Sequence, residues 1–146
     1  IDDLVICVKK GITLKINNEF IPVGCVIINN GTIHINGTFD RGICDFINKG
    51  SVEVKNGGVM SSGMSNTYNY GTFTIDTGSK LLIERGTQFD NHNNITNNGY
   101  ISIKDGGCLN NENGSLINNG TIELASYFQG DIHKISGTGK VSDNRQ

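Results

Sequence analysis

Short stretches in which apolar and polar residues alternate recur along this chain of 146 residues. Five of them share one form, with apolar residues at the second and fourth positions and mostly polar residues at the first and third; they span 32–35, 51–54, 72–75, 100–103 and 121–124. A period of two places one face of a strand in a core and the other face in water. The pattern therefore predicts an all-β protein of short, half-buried strands.

An Asn-x-Gly tripeptide stands immediately before each of these strands. Its asparagines are Asn29, Asn48, Asn69, Asn97 and Asn118, and its glycines are Gly31, Gly50, Gly71, Gly99 and Gly120. Most of the intervals are 19 or 21 residues long, which leaves room for three sides of six to seven residues. Such a repeat is the signature of a solenoid. We expect a right-handed parallel β-solenoid (β-helix) of about six coils of 19–21 residues, with three short strands per coil.

Stacking of like residues explains the unusual composition, in which asparagine and glycine each account for 20 of the 146 residues. We predict that the five asparagines form one ladder of side-chain amides, hydrogen-bonded from coil to coil. The five glycines are expected to supply the positive φ that turns the corner. Both residue types are poor helix formers, which also disfavours a helical fold.

One interval departs from the period, because Asn69 and Asn97 lie 28 residues apart. In the other repeats a large apolar residue stands eleven positions before the glycine, whereas here Leu81 stands 18 positions and Phe89 ten positions before Gly99. We interpret the difference of about seven residues as an inserted side or a protruding loop at 82–88.

The whole chain, 1–146, is interpreted as a single solenoid domain. Residues 1–11 contain an apolar edge strand at the N-terminus, and 136–146 form a polar C-terminal segment. Neither end shows an obvious cap, although a solenoid exposes unpaired backbone groups at its terminal coils. We therefore expect a homo-oligomer or filament, formed by end-to-end or lateral packing.

Charge and hydropathy exclude two classes of partner. The net charge of −2 gives no basic field with which to bind phosphates, so we expect no nucleic-acid partner. No apolar run approaches the roughly 20 residues that a membrane helix requires, so we expect no membrane span.

The segment 118–124, together with the Gly-Thr-Phe turn at 37–39, resembles the repeats of β-helical surface adhesins of the filamentous-haemagglutinin and autotransporter-passenger kind. The similarity covers about residues 12–124. It implies an extracellular, cell-surface or virion-surface protein that presents a long, rigid, hydrated surface. The resemblance implies neither a catalytic residue nor a cofactor. The partners that it implies are surface glycans or a host receptor.

Four cysteines occur, at positions 7, 25, 44 and 108. Cys25 and Cys44 stand at the same position of successive repeats, so we expect them to lie one above the other. Two interpretations remain open for them: a pair of small core thiols, or a disulfide between neighbouring coils or with Cys7. Cys108 is expected to face the core. No Cys-x-x-Cys spacing is present, so we predict no metal site.

Five Asn-x-Ser/Thr sequons are candidate glycosylation sites, at Asn30, Asn36, Asn94, Asn113 and Asn119.

The three histidines, His34, His92 and His133, are scattered and are expected at the surface. Glu53 and Glu123 share one predicted outward column but lie about three coils apart, too far for the paired carboxylates of glycoside hydrolysis.

Two functions are compatible with these observations. The favoured one is a non-catalytic structural or adhesive module of an extracellular or particle-surface fibre, spike or layer that self-associates. The alternative is a glycan-binding or polysaccharide-degrading β-helix of the tailspike or lyase kind. Tyr68 and Tyr70, which flank one turn beside 82–88, mark the surface where a sugar would be expected to bind.

Overall fold

The computed structural model describes residues 4–145, which form short strands and one 3-10 helix. In chain order the strands are β1 (Leu4–Val8), β2 (Thr13–Ile16), β3 (Glu19–Phe20), β4 (Val23–Asn29), β5 (Thr32–Ile35), β6 (Thr38–Asp40), β7 (Ile43–Asn48), β8 (Ser51–Val54), β9 (Val59–Ser61), β10 (Thr67–Asn69), β11 (Thr72–Ile75), β12 (Lys80–Ile83), β13 (Gln88–Asn91), β14 (Asn94–Asn97), β15 (Tyr100–Ile103), β16 (Cys108–Asn110), β17 (Ser115–Asn118), β18 (Thr121–Leu124), β19 (Tyr127–Gln129) and β20 (Lys140–Asp143). The 3-10 helix η1 (Ile132–Lys134) lies between β19 and β20.

Three parallel sheets run the length of the molecule. Sheet A contains β1, β4, β7, β10, β13, β16 and β19; sheet B contains β2, β5, β8, β11, β14 and β17; sheet C contains β3, β6, β9, β12, β15, β18 and β20. Strands pair in parallel with their counterparts one coil away, 19 to 22 residues along the chain. The chain winds through about seven turns. The predicted all-β parallel solenoid with three strands per coil is therefore confirmed, with one coil more than expected.

The inward faces of the three sheets form one continuous apolar core. An inward column of sheet B illustrates the stacking, since it contains Ile33, Val52, Phe73, Ile95 and Leu116, each at most 1% exposed. Burying a side chain of this size contributes about 1.5–3 kcal/mol. Because each residue packs on its counterparts above and below, a coil's core is complete only when both neighbouring coils are present.

Several corners between sheets are tight turns of one type. Asn56-Gly57, Arg85-Gly86 and Asp105-Gly106 have positive φ at both residues. Each turn is closed by a backbone hydrogen bond between its outer residues, as where the Gly58 N–H donates to the Lys55 carbonyl at 2.9 Å. Two successive positive φ values define a type I′ turn, which favours Asn-Gly and Asp-Gly. These pairs end one strand and direct the chain onto the next side.

The glycines of the Asn-x-Gly tripeptides have a different role from the one predicted. Their φ values are not positive, so the prediction that Gly31, Gly50, Gly71, Gly99 and Gly120 turn the corner through positive φ is wrong. They are required because successive coils approach closely: a Cβ on Gly50 would lie closer than 3.0 Å to the Gly31 carbonyl oxygen, and one on Gly71 equally close to that of Gly50.

Residues 82–88 are not an insertion. They run from the end of β12, through a type I′ turn at Arg85-Gly86, into β13, and both strands pair in register with the coils on either side. The long interval has another cause. Asn69 ends a strand of sheet A, whereas Asn97 ends a strand of sheet B, so the interval of 28 residues contains one coil and one further side.

The C-terminal end is covered, contrary to the expectation that 136–146 leaves it without a cap. Ile132 and Ile135 at η1 and Val141 in β20 pack against the core, and β20 continues sheet C beyond β18. At the N-terminus, β1 forms the edge of sheet A, as predicted for 1–11, and its first described residue is Leu4.

Candidate functional site

A buried ladder of asparagine amides follows the corner between sheets A and B. It contains Asn29, Asn48, Asn69, Asn91 and Asn111, joined by hydrogen bonds of 2.7–2.9 Å in which each Nδ2 donates to the Oδ1 of the next asparagine toward the C-terminus. The same Nδ2 also donates to a carbonyl of sheet B, such as that of Ser51 from Asn29 at 3.0 Å. The Oδ1 atoms of Asn29, Asn48, Asn69 and Asn91 also accept from the backbone N–H two residues on, as from Gly31 at 3.1 Å. Each buried amide thereby satisfies its polar atoms.

The five asparagines predicted to form one ladder belong to two. Asn29, Asn48 and Asn69 lie in the ladder described above, whereas Asn97 donates to Asn118 at 2.9 Å at the corner between sheets B and C. In the register of sheet B, Asn97 lies beside Ile75, so it cannot continue the column of Asn69. The residue that does continue it is Asn91, which was missed because Asn93 replaces glycine in the segment Asn91-His92-Asn93.

The one-corner shift between the two asparagine ladders also separates outward-facing residues that the sequence placed in a single column. Glu53 lies on sheet B beside His34, with their side-chain atoms 3.9 Å apart, and Lys55 Nζ lies 3.4 Å from the same carboxylate. Glu123 lies on sheet C, where its carboxylate accepts a 2.6 Å hydrogen bond from the Tyr100 hydroxyl. That hydrogen bond raises the pKa of Tyr100. The two glutamates therefore occupy different faces and do not form a carboxylate pair.

Cys25 and Cys44 form a disulfide. They lie in register on β4 and β7, with their Cα atoms 4.7 Å apart, so the bond joins two adjacent coils. Of the two interpretations left open by the sequence, the disulfide between neighbouring coils is the one that the structure contains.

The two other cysteines are free thiols, and neither faces the core. Cys7 is exposed on β1. Cys108 is partly buried on the outward face of β16, which corrects the expectation that it faces the core. Burial, and then the negative charge of Asp90, raise the pKa of the Cys108 thiol. Within residues 4–145, no group of three potential metal-ligating side chains is assembled.

The predicted glycosylation acceptors differ in how their amides are bonded. Asn30, Asn94, Asn113 and Asn119 are exposed, and Asn36 is half-buried. Asn36 donates through Nδ2 to Asn17 at 2.9 Å and accepts from Asn56 at 2.8 Å, which makes an exposed ladder. Asn119 donates through Nδ2 to Asn98 at 3.0 Å. The nitrogen that would carry a glycan is thus already hydrogen-bonded to the preceding coil at Asn36 and Asn119.

Tyr70 and His92 form a stacked pair on the surface, next to the buried ladder. Their ring centroids lie 4.8 Å apart, the planes are inclined by 7°, and Tyr70 remains 48% exposed. They are the residues that follow the ladder members Asn69 and Asn91, so the register of the ladder brings them together. The sequence singled out Tyr70 but not its partner, because the missing glycine hid the register of His92.

The corner between sheets C and A contains a fully buried arginine that sequence reasoning missed. The guanidinium of Arg41 donates through Nη1 to the Asn66 carbonyl and through Nη2 to that of Ser62, each at 3.0 Å, and thereby holds the loop between β9 and β10. Desolvation lowers the pKa of Arg41 to about 9, although the charges of Asp45 and Asp40 act in the opposite direction. The group is therefore a buried cation that serves as a permanent donor at neutral pH.

The two ends of the coil differ in chemistry. At the N-terminal end a cavity of about 380 Å³ opens between the first strands, and Ile6, Leu14, Phe20 and Phe39 are among its lining residues. Lys15 and Glu19 lie on its rim. At the C-terminal end the cavity beside η1 is instead lined by polar and charged groups, which include Glu112, Asp131 and Lys134.

No family model, no curated protein and no solved structure matches this chain. In the part of the chain that the structure describes, no helix has the length and apolar character needed to cross a membrane.

Proposed function

We propose that this chain is a non-catalytic structural or adhesive module of an extracellular or particle-surface fibre, spike or layer, and that it self-associates. The observation that carries this proposal is the unbroken stacking of the three sheets from β1 to β20. At a strand spacing of about 4.8 Å, seven turns make a rod roughly 30–35 Å long.

Two features support a role for this rod as a stiff spacer. The buried ladder connects five successive coils through side-chain hydrogen bonds, which adds to the backbone pairing between the same coils. Apart from 62–66 and 130–139, the connections between strands contain two to four residues, so strands make up most of the outer faces. A spacer does not need a binding site for a small molecule. It needs a fixed distance between the two ends of the rod.

The disulfide supports the proposed location outside the cell or on a particle surface. Disulfides persist in oxidising compartments and are rare where glutathione and thioredoxin keep thiols reduced. The Cys25–Cys44 bond joins two coils near the N-terminal end. This fits the resemblance of segment 118–124 and turn 37–39 to the repeats of surface adhesins.

The proposal is tested by offering the purified chain a panel of surface polysaccharides and measuring both retention and product release. A structural or adhesive module is expected to bind or to assemble without releasing oligosaccharides. Release of new reducing ends or of unsaturated sugars, in proportion to the protein added, would show an enzyme and overturn the proposal.

One observation favours a glycan-binding function as the second candidate. The stacked rings of Tyr70 and His92 form an exposed aromatic surface, which suits contact with the apolar face of a sugar. Replacing Tyr70 by alanine is expected to abolish retention on a bound glycan. The matched control is Tyr127→Ala, which removes a tyrosine that is 64% exposed at the C-terminal edge of sheet A, three strands away from β10, and is expected to leave retention unchanged.

A further inference from the structure

Six asparagines of the chain are followed directly by a glycine. Because glycine has no side chain, its backbone nitrogen is open to the side-chain amide of the asparagine before it. In such a pair the nitrogen can attack the side-chain carbonyl carbon, which changes the asparagine covalently without an enzyme. The six asparagines are Asn30, Asn36, Asn56, Asn98, Asn113 and Asn119.

Hydrogen bonds hold the glycine nitrogen in five of the six pairs. In these pairs the glycine N–H donates to a backbone carbonyl or to an asparagine side chain, over 2.8–3.4 Å. The five donors are Gly31, Gly37, Gly99, Gly114 and Gly120. Within residues 4–145, the N–H of Gly57 has no such acceptor. The nitrogen of the Asn56-Gly57 pair is therefore the one that is free to attack.

Packing separates the same pair from the other five. A Cβ placed on any of the five bonded glycines would come closer than 3.0 Å to an atom of the preceding coil. At Gly57 the corresponding position has nothing within 4 Å, and both Asn56 and Gly57 are exposed. The peptide group between Asn56 and Gly57 can therefore rotate without displacing a neighbouring coil.

The turn around this pair leaves the reacting atoms accessible. Asn56 and Gly57 are the two central residues of the type I′ turn between β8 and β9. The hydrogen bond that closes this turn joins the Gly58 N–H to the Lys55 carbonyl and does not use the Gly57 nitrogen. The Asn56 side chain makes one hydrogen bond, from Nδ2 to the Asn36 Oδ1 at 2.8 Å on the exposed ladder. That bond involves the nitrogen that would leave and not the carbon that would be attacked.

We propose that Asn56 is a site of spontaneous deamidation, and that it is the first asparagine of the folded rod to change. Hydroxide removes the proton of the Gly57 nitrogen, which then forms a bond to Cγ of Asn56. The bond from Cγ to Nδ2 breaks, ammonia leaves, and a cyclic imide remains. Water adds to one of the two imide carbonyls and opens the ring to aspartate or to isoaspartate. The sum consumes one molecule of water for each ammonia that is released.

The products alter the contact between two coils. A carboxylate at position 56 has no N–H to donate, so it faces the Asn36 Oδ1 as a second acceptor. Isoaspartate also adds a methylene group to the backbone of the turn that the Gly58–Lys55 hydrogen bond closes. Each converted molecule gains one negative charge at the corner between sheets B and C, while the apolar core is untouched.

Peptide mapping of the full, folded chain after incubation in isotopically labelled water at mildly alkaline pH tests the site. Ring opening inserts one labelled oxygen, so mass spectrometry identifies the converted residue. We expect Asn56 to convert at least about tenfold faster than the other five, which must first break a hydrogen bond and separate packed coils. Equal or faster conversion of Asn113, whose glycine makes the longest of the five hydrogen bonds, would overturn the proposal. Absence of label at Asn56 would overturn it as well.

The unfolded chain shows whether the fold selects the site. In urea with the disulfide reduced, all six pairs are expected to convert at similar rates, because the hydrogen bonds and the packing between coils are lost. A preference for Asn56 that is as large in urea as in the folded rod would show that local sequence selects it, and would overturn the structural argument.

Two alanine variants test the route through the Gly57 nitrogen. Gly57→Ala is expected to slow conversion of Asn56 strongly, because a methyl group beside the attacking nitrogen crowds the closing ring. The matched control is Gly78→Ala, since Gly78 also has positive φ and open space around its Cβ position. It is expected to leave the conversion of Asn56 unchanged. Equal rates in the two variants would overturn the proposed route.

Discussion

The corner between sheets A and B and the corner between sheets C and A perform the same task by different means. At the first, one residue type, asparagine, recurs through five coils and bonds to itself. At the second, successive coils differ: a buried Arg41 holds one loop, type I′ turns at 84–87 and 104–107 close others, and a disulfide lies close by. A corner at which the same residue recurs in every coil can be recognised from the sequence. A corner at which each coil uses a different contact cannot.

The largest effect is expected at a glycine of the repeating corner. Gly71→Ala places a Cβ against the Gly50 carbonyl oxygen, which is backbone and cannot move without disturbing the pairing of two coils. We expect a loss of about 4 kcal/mol in the free energy of unfolding, measured by urea denaturation. Gly57→Ala is the matched control, because its Cβ meets nothing within 4 Å and the change costs only the positive φ, about 1–2 kcal/mol. Equal losses in the two variants would contradict a steric role for Gly71.

The disulfide near the irregular corner comes next. Its two cysteines are 19 residues apart, and closing a loop of that length in the unfolded chain stabilises the native state by about 3 kcal/mol. The double variant Cys25→Ser with Cys44→Ser is expected to lose this amount in urea denaturation. Cys7→Ser serves as the control and is expected to match the parent protein. An unchanged midpoint in the double variant would show that the coils are held without the bond.

Breaking the buried ladder is expected to cost about 2–3 kcal/mol. Asn48→Ala removes the donor to Asn69 and the acceptor for Asn29, and leaves buried polar atoms with fewer partners. Asn36→Ala breaks the exposed ladder instead, where water replaces the lost partners, so we expect a loss of about 0.5 kcal/mol or less. Thermal and urea denaturation of both variants would check the difference, and equal losses would show that burial is not what makes the ladder important.

The smallest loss among the buried positions is expected at Arg41. Arg41→Met keeps most of the side-chain volume and removes a buried charge, but it leaves the Ser62 and Asn66 carbonyls without their donor. Because removal of the desolvation penalty offsets part of this loss, we expect about 1–2 kcal/mol. Faster proteolysis within 61–66 is expected to accompany it. A loss as large as that of Gly71→Ala would show that the irregular corner limits the stability of the whole rod.

Much of the fold was predictable because each coil of a solenoid repeats the alternation of apolar and polar residues of the coil before it. The strands at 32–35, 51–54, 72–75, 100–103 and 121–124 are all present, and the alignment of Cys25 with Cys44 is confirmed. Register was harder, because Asn91-His92-Asn93 keeps the ladder asparagine but not the glycine that marked it elsewhere. Because of that one replacement, the sequence analysis placed Asn97 at the wrong corner and interpreted 82–88 as an insertion.

Features that depend on contacts between residues far apart in the chain leave no periodic pattern in the sequence from which they could be predicted. Arg41 finds its acceptors in a loop more than 20 residues away, so the segment around it looks like an ordinary polar turn. The C-terminal cover relies on Ile132, Ile135 and Val141, whose spacing matches neither a strand nor the repeat. Cys108 lies outward because it alternates with the buried Leu109 in β16.

The uniform direction of the buried amides has an electrical consequence. Every Nδ2 from Asn29 to Asn91 donates toward the C-terminal end, whereas the exposed amides of Asn36, Asn56 and Asn119 donate toward the N-terminal end. Reversing a single buried amide would set two donors face to face, so the column must switch as a whole or not at all. The buried column thus carries amide dipoles that all point the same way and polarise one another, whereas the exposed amides, which lie at the corner between sheets B and C, point the opposite way.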